Sequence, residues 1–186
     1  MNGEVVSFTA MVDGTAEDYR LLDRLERRYA AALPERLAGA LRQLDGALEG
    51  YQVSRLTHSL QTATRAERDG ADEEMVAAAL LHDLGDVLAP WNHAEYAAAI
   101  LRPYVRDEVT WIVAQHGVFQ LYYYAHHFGR DREARRQFRG HPWFGACERF
   151  CALWDQPSFD PAYPTEGLDH FLPLLQQVFS RPKPRS

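Results

Sequence analysis

The chain has 186 residues, of which 46% are hydrophobic, and its formal net charge at pH 7 is −6. This length and composition predict one domain with a sizeable core, and the scattered acidic charge offers no basic patch for nucleic acid or an anionic membrane. Arginine supplies the positive charge except for Lys183, so no lysine is available near a core site for a Schiff base or a phosphate-binding loop.

The first 14 residues lack the basic start and apolar stretch of a signal peptide, and nowhere do about 18 apolar residues run together. We therefore expect a cytoplasmic protein. The two cysteines, Cys147 and Cys151, lie four residues apart on a predicted helix. This spacing suits neither a disulfide framework nor the CxxC pairs of structural zinc sites, so we expect reduced core thiols.

Helical signals follow one another along the chain, and most predicted helices have a recognisable start or stop. Thr15 with Asp18 resembles a capping box, Pro34 is predicted to end the first helix, and Gly70 and Gly117 are predicted to end two later ones. The predicted helices span 15–33, 35–48, 54–69, 72–83, 92–102, 107–117, 119–128, 141–155 and 165–179.

The aromatic stretch 119–128 has the residue types of a β-strand, but no other segment offers it a partner strand, so we predict a helix there. The charged segment 130–139 is predicted as a helix or turn. The last helix is expected to be kinked or broken at Pro173. We expect the tail 181–186 to be disordered. The predicted fold class is therefore all-α.

A histidine and an aspartate stand side by side at the end of the fourth predicted helix, and they are the first candidate for a metal centre. Because adjacent helical residues point about 100° apart, His82 and Asp83 can share one ion only if it lies close to the helix, and the carboxylate can then bridge to a second ion. A dipeptide of this kind is a weak signal alone. Other candidate ligands lie near the ends of further predicted helices: His58, His93, His116 and Asp155.

Each of these side chains taken alone also fits a hydrogen-bonded core or surface role. Their joint arrangement is more informative, because helix ends that bring neutral nitrogens and carboxylates to one cavity are typical of first-row transition-metal centres.

The order of these residues resembles the HD-domain superfamily of metal-dependent helical proteins. The resemblance covers about 51–155 and rests on the stretches 58–61, 78–85, His93 with the alanines that follow it, and 155–156. Two extra histidines between the His-Asp pair and the last aspartate resemble the branch of mixed-valent di-iron oxygenases. That branch includes myo-inositol oxygenase and the oxygenases that cleave organophosphonates.

The resemblance implies a single-domain HD-type helical bundle, with N-terminal helices over 15–48, a metal-binding core over 51–156 and a C-terminal helix over 165–180. It also implies two iron ions, Fe(II)/Fe(III), with dioxygen as co-substrate. One iron would be held by His58, His82, Asp83 and Asp155, and the other by His93, His116 and the bridging Asp83.

The donor set is consistent with this implication. Six protein ligands leave free coordination positions on two ions, and imidazole and carboxylate without thiolate suit iron or manganese better than a closed zinc site. The choice of iron rests on the resemblance.

The sequence departs from the phosphonate-cleaving members at several positions. Asp86 stands where many superfamily members have Lys or His, and its carboxylate is expected to repel a phosphate or phosphonate. Gln120 and Ala152 occupy two positions where a basic side chain is expected, and Glu49 and Tyr51 are out of order for the Tyr and Glu that contact one iron. The substrate class therefore stays open among amino alcohols, polyols and hydroxyphosphonates.

Further polar and aromatic side chains near the predicted centre are candidates for a substrate pocket, because tyrosine and amide groups suit hydroxyl recognition and a carboxylate among rings suits an ammonium group. We assign catalytic roles to Asp86, Gln120 and His126, and substrate contacts to Gln61, Tyr123, Tyr124 and His127. Each also has a structural alternative: a core face for the tyrosines, a surface or core position for the two histidines, and a hydrogen bond to a metal ligand for Asp86.

Three functions follow from these observations. The leading hypothesis is an oxygenase that uses the iron pair and dioxygen to oxidise or cleave a small hydroxylated substrate. The second is a phosphohydrolase acting on a nucleotide or phosphate ester, against which Asp86 and the lack of a nearby lysine speak. The third is a catalytically silent metal-binding domain. We expect a monomer or small homo-oligomer without nucleic-acid or membrane partners.

Overall fold

The computed structural model describes residues 4–180 and 182–183. The described residues contain eight α-helices and no β-strand, which confirms the predicted all-α fold class. The helices are α1 (Ala16–Ala31), α2 (Leu33–Gln43), α3 (Arg55–Arg68), α4 (Glu73–Leu81), α5 (His93–Leu101), α6 (Asp107–Tyr124), α7 (Phe144–Arg149) and α8 (Leu168–Phe179). Short 3₁₀ turns lie at Met11–Asp13, Leu44–Gly46, Leu84–Val87, Ala125–Phe128 and Ala134–Phe138.

Helix α4 lies at the centre of the bundle. Its residues 75–81 are all buried, and a helix that is apolar on every side has to be enclosed by other elements. Helices α3 and α6 pack against it, α5 packs on α6, and α8 lies across α4 and α2. The end of α4 is therefore surrounded by neighbouring helices, which positions the site described below.

The predicted helix starts are confirmed where a side chain caps the backbone. Thr15 and Asp18 form a reciprocal capping box, with the Thr15 hydroxyl accepting from the Asp18 N–H at 3.2 Å and the Asp18 carboxylate accepting from the Thr15 N–H at 2.9 Å. Ser54 caps α3 and Asp72 caps α4 in the same way, each accepting from a backbone N–H of the first turn.

The predicted helix end at Gly117 is wrong. Helix α6 runs through this glycine to Tyr124, so the aromatic stretch is the second half of α6 and not a separate helix. A glycine inside a helix costs about 1 kcal/mol, which the burial of apolar side chains on both sides of it outweighs. The 3₁₀ turn Ala125–Phe128 follows, and Gly129, with φ of 65°, takes the left-handed conformation that ends it.

Two other boundaries also differ from the prediction. Helix α1 already ends at Ala31, and Pro34 lies in the first turn of α2, where its missing N–H leaves no hydrogen bond unmade. Helix α8 begins at Leu168 and continues through Pro173 without a break. The predicted disordered tail, 181–186, includes residues 182–183, where the Lys183 N–H donates to the Pro103 carbonyl at 2.7 Å, whereas residues 181 and 184–186 lie outside the described residues.

The predicted helix over 141–155 consists of α7 and a following π-helical turn, Phe150–Asp155. The wider turn is visible in the hydrogen bond from the Gln156 N–H to the Cys151 carbonyl, 3.0 Å long, which spans five residues instead of four. Both cysteines are buried free thiols, as predicted. No helix in the described part of the chain is both long enough and apolar enough to span a bilayer.

Candidate metal centre

The six predicted metal ligands lie together at the end of α4. They come from five elements: His58 from α3, His82 and Asp83 from the residues after α4, His93 from the first turn of α5, His116 from α6 and Asp155 from the end of the π-helical turn. All are buried except His93, which is half-buried. The helices that surround the buried end of α4 thus bring distant parts of the sequence to one point.

The first ligand cluster consists of His58, His82, Asp155 and one oxygen of Asp83. The Nε2 atoms of His58 and His82 are 3.1 Å apart, and Asp83 Oδ2 lies 3.2 Å from the first and 3.1 Å from the second. Asp155 Oδ1 lies 3.3 Å from His58 Nε2 and 3.6 Å from His82 Nε2.

The second cluster uses the other oxygen of the same aspartate. The Nε2 atoms of His93 and His116 are 3.3 Å apart, and each is 3.4 Å from Asp83 Oδ1. The Asp83 carboxylate therefore divides its two oxygens between two groups of histidines, which is the arrangement of a carboxylate that bridges two ions.

These distances fit metal coordination. Two donors that each bind one ion at about 2.1 Å, with an angle of about 90–109° between them, lie about 3.0–3.4 Å apart. In addition, Asp155 Oδ2 is buried without a hydrogen-bond partner. A buried carboxylate oxygen in that state is destabilising, and a cation between the ligands would satisfy it.

The histidine rings are fixed in the orientation that a metal ligand requires. The Nδ1 atom of His58 lies 2.9 Å from the Ser158 carbonyl, and the Nδ1 atoms of His82 and His116 lie 2.8 Å and 2.7 Å from carbonyls in the turns that precede them. Since a carbonyl only accepts, each Nδ1 carries the proton, and each Nε2 presents its lone pair to the centre.

The electrostatics of the site keep its carboxylates ionised. Burial alone would raise the pKa of Asp83, but the adjacent His82 and the guanidinium of Arg55 hold that pKa well below its usual range. Burial is likewise outweighed at Asp155, whose pKa is lowered by His82 and His58. Burial lowers the pKa of His93, which favours its neutral, metal-binding form. At His58 and His82 the effect of burial is outweighed by Asp83 and Asp155, which raise the pKa of both rings, so a metal bound there replaces a proton.

Arg55 is a site residue that is not among those predicted from the sequence. It is buried, its guanidinium donates to Asp83 Oδ2, and its Nε donates to Asp86 Oδ2 at 2.7 Å. The signal was present, because Arg55 precedes His58 by three residues on α3 and so faces the same side. Asp86 is therefore not the unpaired negative charge that the sequence led us to expect.

Asp86 also approaches a metal ligand, since its Oδ1 lies 3.5 Å from His93 Nδ1. It thus joins Arg55 to the second histidine cluster, in the manner of a carboxylate that orients a ligating histidine. Its assignment as a catalytic residue stays a prediction.

The metal centre lies at the base of an open cavity of about 820 Å³. Among the predicted pocket residues, Asp86, Gln120, Tyr123 and Tyr124 line this cavity. Side chains that were not predicted complete the lining: Leu48, Tyr51, Pro90, Phe128, Gln156 and Phe159. Most of these lie in loops, where helical periodicity gives no indication of direction.

Three predicted pocket residues lie elsewhere, which corrects the sequence-based assignment. Gln61 is buried and its amide donates to the Asp160 carbonyl at 2.7 Å, so it holds the loop after Asp155 instead of lining the cavity. His126 and His127 are exposed on the 3₁₀ turn after α6, with their rings 4.0 Å apart. Because α6 continues to Tyr124, the turn carries both histidines outward.

Comparison with known protein families identifies an HD domain at residues 55–146. The helical fold and the His/Asp cluster fit this assignment, and HD domains are generally metal-dependent enzymes. The match supports membership of the HD superfamily and contains every proposed ligand except Asp155. None of the curated proteins compared with the chain matches it.

Proposed function

We propose that the protein is an HD-superfamily oxygenase that uses two iron ions and dioxygen to oxidise or cleave a small hydroxylated substrate. The observation that carries the proposal is the Asp83 carboxylate, whose Oδ2 faces His58 and His82 while its Oδ1 faces His93 and His116. This ligand arrangement could hold two metal ions, one at each group of histidines, which supports the resemblance to the di-iron branch.

The protein's part in this chemistry is to hold the ligands, orient the substrate and limit water. An Fe(II)/Fe(III) pair, when bound, would supply the redox chemistry with dioxygen. Gln120 and Tyr123 face the cavity next to the ligands, where an amide and a phenol suit contacts to a substrate hydroxyl. Asp86, held by Arg55, lies 3.5 Å from the Nδ1 atom of His93, where its carboxylate can orient this ligand.

The cavity lining favours an oxygenase over a hydrolase of phosphate esters. Arg55 is the one cationic side chain among the described residues that line it, and both of its contacts in the site are to aspartates. A phosphate monoester needs free donors for its oxygens, which a paired guanidinium does not supply. A small neutral or hydroxylated molecule needs no such free cationic donor, so we propose a molecule of this kind as the substrate.

A second candidate, a metal-dependent phosphohydrolase, is favoured by one observation. Arg55 neutralises Asp86, which removes the repulsion that the sequence suggested, and the HD superfamily as a class points to hydrolysis. Asp83 and the two groups of histidines would then hold divalent ions, which would activate water for attack on a phosphate ester.

Metal analysis and EPR spectroscopy on aerobically purified protein distinguish the oxygenase from the phosphohydrolase. We expect about two irons per chain and, after mild reduction with ascorbate, a low-field signal from a coupled Fe(II)/Fe(III) pair. Dioxygen uptake with amino alcohols, polyols and hydroxyphosphonates would follow. Phosphate release from a nucleotide panel without oxygen, in the presence of Mn(II), would instead establish the hydrolase.

The His116→Ala variant tests the second cluster. It should lose one of two irons and all dioxygen uptake while its helical circular dichroism stays unchanged, because His116 supplies a ligand at the cavity wall and alanine keeps α6 helical. The matched control is His170→Ala, since His170 is a surface residue that pairs with Glu67. Full activity in a fully metallated His116→Ala protein would contradict the assignment.

A further inference from the structure

The cavity above the metal centre is large for a small polyol. Its volume of about 820 Å³ falls in the upper part of the range of about 300–1,000 Å³ that holds drug-sized ligands. The substrate that fills it therefore has a body beyond the group that reaches the metal.

One wall of the cavity is a continuous row of aromatic rings that begins at a metal ligand. The ring of Phe159 stacks on His58 with centroids 4.3 Å apart, and Tyr51 stacks on Phe159 at 4.8 Å. His58 is buried, whereas Tyr51 is 52% exposed. The row thus leads from the metal centre to the surface.

A second wall is one face of α6 and begins at another ligand. His116, Gln120 and Tyr124 follow at intervals of four residues, which places them in line along the helix. Phe128 continues the line, with its ring 6.4 Å from that of Tyr124. This wall is polar at Gln120 and aromatic beyond it.

The outer half of the cavity carries no unpaired charge among the described lining residues. The guanidinium of Arg55 is engaged by Asp83 and Asp86 at the base. Burial raises the pKa of both Tyr123 and Tyr124, so their phenols are neutral at neutral pH.

The rim is apolar and largely open to water. Leu48 is 61% exposed, Phe128 is 70% exposed and Tyr124 is 45% exposed, and all three line the same cavity. Exposed apolar side chains are common one at a time, but a group around the mouth of a functional cavity marks a surface that a ligand covers.

We propose that the substrate is amphipathic, with a hydroxyl-bearing end at the metal centre and an apolar hydrocarbon body that lies between the two aromatic walls and covers Leu48, Tyr51 and Phe128. The chemistry at the polar end rests on the function proposed above. Recognition of the apolar body rests on the walls and the rim alone.

Calorimetric titration with a series of 2-hydroxyalkanoates tests this inference without turnover. Protein loaded with Fe(II) under anaerobic conditions is titrated with glycolate, 2-hydroxybutyrate, 2-hydroxyhexanoate and 2-hydroxyoctanoate, which share one metal-binding end. Each methylene that enters the cavity should tighten binding about two- to fourfold. The same titration with Zn(II) should give the same gain per methylene.

Two variants at the rim locate the effect. Leu48→Asp and Phe128→Ala should each weaken 2-hydroxyoctanoate binding about tenfold while leaving glycolate binding and metal content unchanged. The matched control is Leu153→Ala, because Leu153 is 48% exposed and does not line the cavity. It should bind the whole series as the unaltered protein does.

Three results would overturn the inference: an affinity that does not change with chain length, a chain-length effect that both rim variants leave intact, or tighter binding of choline than of its neutral isostere 3,3-dimethylbutan-1-ol. The last would indicate an ammonium site formed by the rings. Chain-length dependence without dioxygen uptake by any substrate would leave the inference standing and refute the oxygenase. Dioxygen uptake with short substrates only, together with an affinity that does not change with chain length, would support the oxygenase and refute the inference.

Discussion

At the scale of single residues, the buried arginine in the metal centre is expected to contribute strongly to stability. Arg55 is the counter-ion of both Asp83 and Asp86 in a site from which water is nearly excluded. Its removal leaves two carboxylates without their cation, and breaking a buried ion pair from one side typically costs about 3–5 kcal/mol.

The Arg55→Gln variant should therefore lose about 3 kcal/mol in the free energy of unfolding, measured by urea denaturation of the metal-free protein. Arg24→Gln is the matched control, because Arg24 pairs with Glu4 on the surface and such pairs contribute at most about 1 kcal/mol. Equal losses in the two variants would show that the Arg55 pair is not buried in solution.

Gly85 is the residue that lets α5 approach the centre. A Cβ atom at this position would lie 2.6 Å from both the Cα and the carbonyl oxygen of His93. The backbone of His93 cannot remain in place against such a contact, so the ligand itself must move.

We expect Gly85→Ala to lose one of two metal ions and to lower dioxygen uptake by about 10- to 100-fold, as found when a ligating histidine loses its support. Metal content and oxygen electrode measurements check this. Gly145→Ala is the control, because a Cβ there meets nothing within 4 Å and a helical alanine is favoured. A fully metallated Gly85→Ala protein would refute the steric argument.

At the scale of the helices, local capping residues account for what the sequence predicts well. The starts of α1, α3 and α4 follow from Thr15, Ser54 and Asp72, since each cap depends on residues within one turn. The end of α6 does not, because Gly117 stays helical only through tertiary packing that no local pattern records.

The residues of the candidate site also differ in whether local sequence patterns predict them. Its metal ligands were predictable because the histidines and aspartates occur in a recognisable order along the sequence, and all except His116 lie near a helix end. Phe159 and Tyr51 were not, because they reach the cavity from loops. His126 and His127 were misplaced since their direction depends on where α6 ends.

The capping box of α1 makes a prediction about pH. Hydrogen bonds from Ser7 and Thr15 hold the pKa of Asp18 well below its usual value of 3.8. Because the folded-state pKa is the lower one, the ionised carboxylate stabilises the fold above about pH 4, and this stabilisation is lost as the pH falls toward the folded-state pKa.

The stability advantage of the unaltered protein over Asp18→Asn should therefore shrink between about pH 5 and about pH 2. Thermal unfolding followed by circular dichroism at a series of pH values measures it. An advantage that is constant with pH would show that the hydrogen bonds do not depend on the charge of Asp18.

At the scale of the whole molecule, the metal centre joins five elements that are otherwise far apart in the sequence. Ligands that belong to α3, α4, α5, α6 and the π-helical turn can bind one pair of ions only when the bundle is folded. Binding to the folded state alone stabilises it by about 2.7 kcal/mol when free metal is at 100 times its Kd.

A chelator should therefore lower the Tm by about 5–10 °C relative to the metal-loaded protein, since 1 kcal/mol corresponds to about 2–4 °C at this size. Differential scanning calorimetry gives the shift. The Asp83→Asn variant, which weakens the bridging ligand, should respond much less to the chelator. An equal response would indicate that the ions bind elsewhere.

The π-helical turn also has a consequence for how this chain tolerates changes in length. A π-helical turn holds one residue more than the α-helical turn it replaces, and here Asp155 stands at its end. Deleting a single residue between Phe150 and Trp154 would convert the turn to α-helical winding and leave Asp155 facing the histidines, whereas winding all six residues as an α-helix would rotate it by about 100°. The segment Phe150–Asp155 can therefore lose one residue without turning its ligand away, and the surface turn at Ala134–Phe138, which lies between His116 and Asp155 and carries no ligand, can also change in length.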